Sequence, residues 1–596
     1  MFRHRFFLLA LLFFSALLVL LYRLYLIQIG EREHFGPYRV NLAEAARRQQ
    51  EKVLIAAPLR GAIVDRQDHS LLGEPQKGAL VFPDAFLSAQ AEDWRKAAAI
   101  LQWPLADLRV AVEELDSPGL LRFPGNGRLV YLTDEQARLL APMRRRGIAV
   151  VSLPGRYGDG MIAKHVIGFV SQDPKRVQAL YAKELEKGLI SLAAPVGQAG
   201  LERAFEPFLQ DLTGTSMARV VYTIDGRGQP LFGGRLGLEE VANGDSPPTV
   251  RTTLYGRLQR TVEQALDEAK VEKGAAVVLD VRNGDILAMA SRPDFDPRAV
   301  DPQSASWNNY AVKQTVPGSI FKVVVAAAAL EEGLVAEDTP FVCPGELEKY
   351  HFSCWKKEGH GKLTFAEGFA QSCNIVFAQL ALQLGGDKLA HYAKELGLLQ
   401  PVGWRGELFR MGTFAQIDGE EPGQLFSAAT PRTDGGVLVQ TAIGQRDVQM
   451  TPLQAAHLMA TIANDGRAMA PRLVQSLLYH NGQTMAEFKI QAKPDKPLSG
   501  ETIRCLQRLL RKVVEEGTGR PLQAARWPLA GKSGTGEYVK GKTDNQWFIG
   551  YGPADEPRVA VAVVSMDTPA DEKNKAIQVF RKIMDWLAAR ESMGTK

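Results

Sequence analysis

The stretch Pro317-Gly318-Ser319-Ile320-Phe321-Lys322 opens a run that stays apolar through Leu330 and stops at Glu331-Glu332-Gly333. A turn signal at its start and a C′-type glycine at Gly333 bracket a helix of about three turns. A helix apolar on nearly every side belongs inside the core of a large domain, not on a surface. Its only cation is Lys322. Ser319 stands at the N-terminal end and Lys322 three residues on, so hydroxyl and amine share a face. An amine among apolar residues loses hydration, which lowers its pKa and makes the neutral, proton-accepting form available. Backbone N–H groups at the helix start offer donors for an oxyanion beside the same hydroxyl. Taken alone, Ser-x-x-Lys recurs by chance in long chains.

Two more stretches give it company. Ser372-Cys373-Asn374 sits inside a helical pattern, with Phe365 to Ala370 before it and Ile375 to Leu384 after it. Lys532-Ser533-Gly534-Thr535-Gly536 follows an apolar stretch and precedes a strand. Around these, Ala275–Asp280 and Asp285–Ser291 flank Arg282-Asn283-Gly284 and read as a hairpin. Residues 545–551 and 559–566 read as a second hairpin, with 529–535 pairing beside it. Helical patterns cover Leu389–Leu396, Pro452–Asn464 and Gly500–Glu516, and Ala576, Val579, Phe580, Ile583 and Leu587 share one face. The expected fold class is α+β, an antiparallel sheet gathered from both ends of a domain with a helical insert between its strands.

Residues 6–22 carry no charge, and Leu24–Ile29 extend the apolar run past Arg23, long enough for a bilayer of about 30 Å if Arg23 snorkels. Arg3, His4 and Arg5 precede it, which places residues 1–5 in the cytoplasm and the rest of the chain outside. A cleaved signal peptide is the competing reading, but no A-x-A-like site follows. The expected organisation is a span at 6–29, a non-catalytic region at 30–250, a catalytic domain at 251–590 and a tail at 591–596. The linker Asn243-Gly244-Asp245-Ser246-Pro247-Pro248 marks the boundary. Asp225-Gly226-Arg227-Gly228 and Gly233-Gly234 read as loops or turns. Net charge is +4 with no basic block or Arg/aromatic motif, which argues against nucleic-acid binding.

The cysteines are Cys343, Cys354, Cys373 and Cys505. Without a CxxC their spacing fits no zinc pattern, so no metal or other cofactor is expected. In an oxidising space Cys343 and Cys354 would close a loop worth about 2–3 kcal/mol as a disulfide; the alternative is two reduced thiols. Cys373 reads as a small buried hydrophobe. His360, beside glycines, reads as a structural or substrate-edge hydrogen-bonding residue, since Ser319 and Lys322 already supply nucleophile and base. Arg60-Gly61-Ala62-Ile63-Val64-Asp65-Arg66 reads as a structural strand with ion pairs.

The ordered set Ser-x-x-Lys, Ser-x-Asn and Lys-Ser-Gly resembles that of penicillin-binding proteins and serine β-lactamases. The likeness to class B penicillin-binding proteins, membrane-anchored monofunctional peptidoglycan DD-transpeptidases, extends over nearly the whole chain. Arg23–Ile29, Arg60–Arg66, His165-Val166-Ile167-Gly168 and Gly200-Leu201-Glu202 resemble the family's extended non-catalytic pedestal. Gly444-Gln445, Thr451–Gln454 and Trp547–Tyr551 resemble its penicillin-binding, β-lactamase-like domain. The resemblance implies that Ser319 attacks the D-Ala-D-Ala carbonyl of a stem peptide while Lys322 takes its proton. Ser372 and Asn374 would hold Lys322 and the substrate amide. Lys532 and Ser533, followed by Gly534 and Thr535, would bind the terminal carboxylate, with the N–H groups of Ser319 and Thr535 as oxyanion hole. Implied partners are peptidoglycan stem peptides, β-lactams, the cytoplasmic membrane and a glycosyltransferase. Cys354–Gly361 is most similar to elongation-type and some spore-former members. Alternatives are a β-lactamase-like hydrolase, which needs a deacylating glutamate in an E-x-x-L-N context that is not found, and a scaffold that recruits or activates a glycosyltransferase. A bifunctional enzyme would need an E-D-x-x-F-type motif and a sensor several spans; neither is found.

Overall fold

The computed structural model describes residues 2–125, 127, 129–153, 155–212, 216–227, 230–231, 234–241, 246–409, 412–493, 496–539 and 542–594. The linker at Asn243–Asp245, Gly228, Gly233 and the last two tail residues lie outside them. The first helix, Phe2–Tyr25, continues through a π-turn at Leu26–Gly30. His4–Gly30 is long and apolar enough to cross a membrane.

The chain forms two compact units, and neither is continuous in sequence. The first comprises Met1–Leu59, Pro75–Arg156 and Ser216–Ala242. Its strands Glu51–Pro58, Met217–Thr223 and Leu236–Val241 make an antiparallel sheet. A second sheet is built on Lys77–Val81, which pairs with Ile148–Ser152, and Phe86 and Trp94 pack in the core beside it.

The second unit takes Arg60–Glu74 and Tyr157–Thr215 together with everything after Asn243. This differs from a single cut near residue 250. Burial explains it: the Arg60 guanidinium bonds Glu202 and Glu206, all three side chains at most 9% exposed. A charge trio taken out of water is stable only when assembled, so these distant segments are held in one body. Thr249–Thr252 adds to this, pairing parallel with Ile63–Val64 and antiparallel with Val474–Leu478.

At the centre of this unit lie five antiparallel strands: β1 (Gly274–Asp280), β2 (Ile286–Arg292), β3 (Ala530–Val539), β4 (Thr543–Gly552) and β5 (Val559–Pro569). Their spatial order is β2-β1-β5-β4-β3, with β3 on an edge. Both hairpins expected from sequence are present, and β3 pairs with β4 as expected. The sheet is covered on both faces. In β5, Val561 and Val563 join one core with Phe548, Val262 and Phe580, while Ala562 and Val564 join the other with Val277 and Ile549. Alternate residues meet opposite layers, which is why these strands read as continuous apolar runs. Helices Gly256–Glu268 and Lys575–Gly594 cover the first face. On the second lie Pro452–Ala463, begun by a Thr451/Gln454 capping box, and the Lys322–Glu331 helix.

Candidate active site

The apolar run after Ser319 is not helical from its first residue. Gly318–Phe321 form a 3-10 turn and the α-helix runs from Lys322 to Glu331. The tighter turn still serves the pair, because residues three apart eclipse in 3-10 geometry. Ser319 is half-buried and Lys322 fully buried.

The turn is fastened from both sides. Thr315 exchanges backbone hydrogen bonds with Met450, and Gly318 N–H donates to the Gly444 carbonyl at 3.0 Å. From β4, Asn545 Nδ2 donates to Thr315 Oγ1 at 2.7 Å and Trp547 Nε1 to the Val316 carbonyl at 3.0 Å. Against the outer edge of β3 the approach is backbone to backbone. A Cβ on Gly318, whose φ is +57°, would lie 2.1 Å from the Thr535 carbonyl oxygen, and one on Gly534 would lie 2.8 Å from Ile320 Cγ2. Glycine at both positions lets the nucleophile's turn lie on the strand that carries Lys532.

Ser372-Cys373-Asn374 departs from the helical pattern expected for it. Helix Phe365–Ala370 ends just before it, Ser372 adopts a left-handed φ of +54°, and a new helix begins at Asn374. A left-handed non-glycine residue is held by its surroundings. The break turns both Ser372 and Asn374 toward one amine. Lys322 Nζ donates to the Ser372 carbonyl at 2.7 Å, to Asn374 Oδ1 at 2.7 Å and to Ser372 Oγ at 3.2 Å. Lys532 Nζ reaches the same hydroxyl at 2.9 Å and the Ser533 carbonyl at 3.0 Å.

Two fully buried lysines thus converge on one hydroxyl. Burial lowers the Lys322 pKa from 10.5 to about 7, opposed by the nearby Cys373 and Cys354 sulfurs. Lys532 is pushed well below its ordinary value, by burial first and by Lys322 second. Each disfavours charge on the other. A proton-accepting amine at neutral pH is therefore available beside Ser319.

Ser533 is half-buried, Gly534 buried and Thr535 exposed. Sequence reasoning missed Thr518, whose Oγ1 lies 2.7 Å from Ser533 Oγ and whose N–H donates to the Ala370 carbonyl at 3.1 Å. Its signal is slight: Gly517-Thr518-Gly519 follows the helix Gly500–Glu515, and a Cβ on Gly517 would lie 2.0 Å from Ala370 O. Also missed is the contact of the break at Ser372 with a distant loop, where Asn374 Nδ2 donates to the Ser353 carbonyl at 3.3 Å.

The cysteine expectations need correction. Cys343 and Cys354 are free thiols, not a disulfide, whereas Cys373 packs in the hydrophobic core as expected. Folding brings Cys343, Cys354, His360 and Cys373 together, with ligand atoms all within 4.8 Å of one another, a set that could hold a metal although no zinc spacing is visible. The residues come from a loop and a helix break, so their approach is tertiary and has no local pattern.

The sequence profile described as penicillin binding protein transpeptidase domain matches residues 274–585. Stage V sporulation protein D of Bacillus subtilis is 28% identical, covering 86% of this chain and 74% of that protein. Penicillin-binding protein PbpB of Mycolicibacterium smegmatis is 26% identical over 99% of this chain and 91% of its own. Among solved structures, one from a study of the structural coordination of polymerization and crosslinking by a peptidoglycan synthase complex matches with a TM-score of 0.63 and 27% identity, covering 97% of both chains. The D,D-transpeptidase domain of a peptidoglycan glycosyltransferase from Eggerthella lenta matches with a TM-score of 0.53 and 27% identity, over 64% of this chain and 96% of that one. With the profile spanning more than half of its length, the chain belongs to the penicillin-binding protein transpeptidase family, class B.

Proposed function

We propose that this protein is a serine D,D-transpeptidase that cross-links peptidoglycan stem peptides through an acyl-enzyme. The observation that carries the reading is the buried Lys322 amine, held by Ser372 and Asn374 beside Ser319. Neutral Lys322 accepts the Ser319 hydroxyl proton as Oγ attacks the penultimate D-alanine carbonyl. The peptide bond breaks, the terminal D-alanine leaves with a proton relayed through Ser372, and the acyl group stays on Ser319. An amine of a second stem peptide then attacks the ester, gives up a proton by the same route and frees the serine.

Lys532 and Ser533 take the substrate carboxylate. An anion beside Lys532 favours its ammonium form, and charge there disfavours charge on Lys322, so substrate recognition leaves the base neutral. The N–H groups of Ser319 and Thr535 form the oxyanion hole. In a strand a residue's N–H and C=O point to the same side, and the Thr535 carbonyl lies against the Gly318 turn, which supports the second donor.

The N-terminal helix anchors the chain in the cytoplasmic membrane, with residues 1–5 inside and both compact units outside; Arg5 ahead of the apolar run supports that orientation. A membrane glycosyltransferase is the partner, a reading supported by the likeness to a solved complex concerned with polymerization and crosslinking.

Labelling with a fluorescent penicillin tests the roles. A β-lactam carries an amide-like carbonyl and a carboxylate, so it acylates Ser319 from the same pose. Ser319→Ala abolishes labelling, and Lys322→Ala slows it by about 10²–10⁴-fold. Labelling that survives in Ser319→Ala protein refutes the assignment, and rapid penicillin turnover points to the hydrolase instead.

A further inference from the structure

We propose that a cavity between Ala163–His165, the helix Gly256–Glu268 and β2 binds a free α-amino acid with a small side chain, its ammonium on Glu263 and His165 and its carboxylate on Arg260. The cavity measures about 240 Å³ and lies wholly within the second unit. Sites for drug-sized ligands run from about 300 to 1,000 Å³, so this one suits a smaller molecule.

The segments that meet here leave two acceptors unused. Ala163 N–H and Gln259 Nε2 both donate to Glu263 Oε1, at 2.7 and 2.8 Å. Oε2 of the same half-buried carboxylate accepts no hydrogen bond among the described residues. His165, 5% exposed, lines the same cavity. Its Nε2 lies 3.1 Å from the Pro293 carbonyl oxygen and 2.9 Å from that of Ser306. Carbonyls only accept, so Nε2 carries the proton and Nδ1 presents a lone pair. No hydrogen bond among the described residues uses that lone pair. The ring is set edge-on against Phe295, with centroids 4.9 Å apart. Burial lowers the His165 pKa from 6.5 to about 4, so the imidazole is neutral and accepting at neutral pH. Burial also raises the Glu263 carboxyl above its ordinary value, against hydrogen bonds from Gln259 and Ala163. An ammonium at Oε2 offsets that loss of hydration.

Two of the cations that line the cavity are committed elsewhere. Arg292 donates from Nε to Asp267 at 2.6 Å, and from its terminal nitrogens to the Ser291 carbonyl at 2.9 Å and the Glu263 carbonyl at 3.0 Å. Lys164 Nζ lies 2.6 Å from Asp294 Oδ2. Arg260 has no ion pair or hydrogen bond among the described residues. It stands exposed at the rim, three residues before Glu263 and so on the same helix face. Unused acceptors at the floor and an unused cation at the rim thus lie about one helical turn apart. Met161 and Ala290 add buried apolar wall for a methyl-sized side chain. An α-amino acid brings ammonium, carboxylate and small side chain in one molecule. D-Alanine, the leaving group of the proposed reaction, is of this class, but the site stands independently of that reading.

The full chain in detergent, treated with penicillin so that Ser319 is capped, is titrated with alanine by calorimetry, and a dissociation constant of about 1 mM is expected. Alaninamide should bind several-fold more weakly, and N-acetylalanine, which lacks the ammonium, should fail to compete in saturation-transfer NMR. Glu263→Gln keeps the acceptor for Ala163 and Gln259 and should weaken alanine binding about tenfold or more. Arg260→Ala should remove the preference for alanine over alaninamide. An unchanged melting temperature in Glu263→Gln shows that the fold is intact; where it falls, the Arg260→Ala comparison carries the test. Tighter binding of D- than of L-alanine assigns the ligand to the leaving group, and the reverse or equality to amino acids from another source; each upholds the site. No binding up to about 10 mM, equal affinity in Glu263→Gln of unchanged stability, or competition by N-acetylalanine as strong as alanine's, overturns it. Penicillin that fails to label overturns the serine assignment instead, and titration of untreated wild type against Glu263→Gln then still decides the cavity.

Discussion

Lys322 is the residue whose chemistry depends most on its surroundings. Burial brings it from 10.5 to about 7, so below that value its amine is protonated and unable to accept the Ser319 proton. Above it, the neutral form dominates. The rate of acylation by a β-lactam is therefore expected to rise as pH passes upward through about 7 and to level off beyond it, with no second rise near the ordinary lysine value. Stopped-flow labelling across that window, at saturating ligand, checks this. A flat profile through neutrality, or a midpoint near 10.5, would mean that the base is elsewhere or remains hydrated. The identity of Ser319, Lys322, Ser372, Asn374 and Lys532 was legible in the sequence because each motif is a short run of letters. Thr518 was not, since its contact with Ser533 is made between segments with no shared pattern.

At the scale of elements, the proposed acylation requires the Gly318–Phe321 turn to lie closely on β3. Gly534 sits between them, and an added methyl would meet Ile320 Cγ2 at 2.8 Å, the Pro317 carbonyl oxygen at 3.0 Å and Ile320 N at 3.1 Å. Two of those three atoms are backbone, so the turn itself must move. Gly534→Ala is expected to cut penicillin acylation at least tenfold, since small misplacements of reacting groups are costly. The fold should survive, because β3 is an edge strand and the covered centre of the sheet is untouched. Gly237→Ala, in a strand of the first unit with nothing within 4 Å of the new carbon, serves as control and should label normally. Equal labelling by both variants would show that the turn is not held by that contact. The strands and most helices were readable from apolar runs and turn residues. The left-handed Ser372 was not, because apolar helical patterns flank it on both sides and the Lys322 amine that bonds its carbonyl comes from a distant segment.

At the scale of the whole molecule, the described residues include an apolar helix near the N-terminus and fold into two compact units. With Arg5 ahead of the apolar run, a C-terminal tag should be digested when protease is added to spheroplasts. Protection of the tag in intact spheroplasts would rule out the orientation. The sequence by itself determined the apolar span, the antiparallel sheet drawn from two hairpins, the three motifs and their order, because local periodicity and short residue runs encode them. The tertiary structure alone decided which segments belong together. Arg60–Glu74 and Tyr157–Thr215 join the catalytic unit because a buried guanidinium needs the carboxylates of Glu202 and Glu206, a requirement that no stretch of either segment displays. It also decided the fate of the cysteines. Three thiols and an imidazole converge only after the loop has closed on its glycines and the helix has broken at Ser372, so their chemistry is a property of the folded chain.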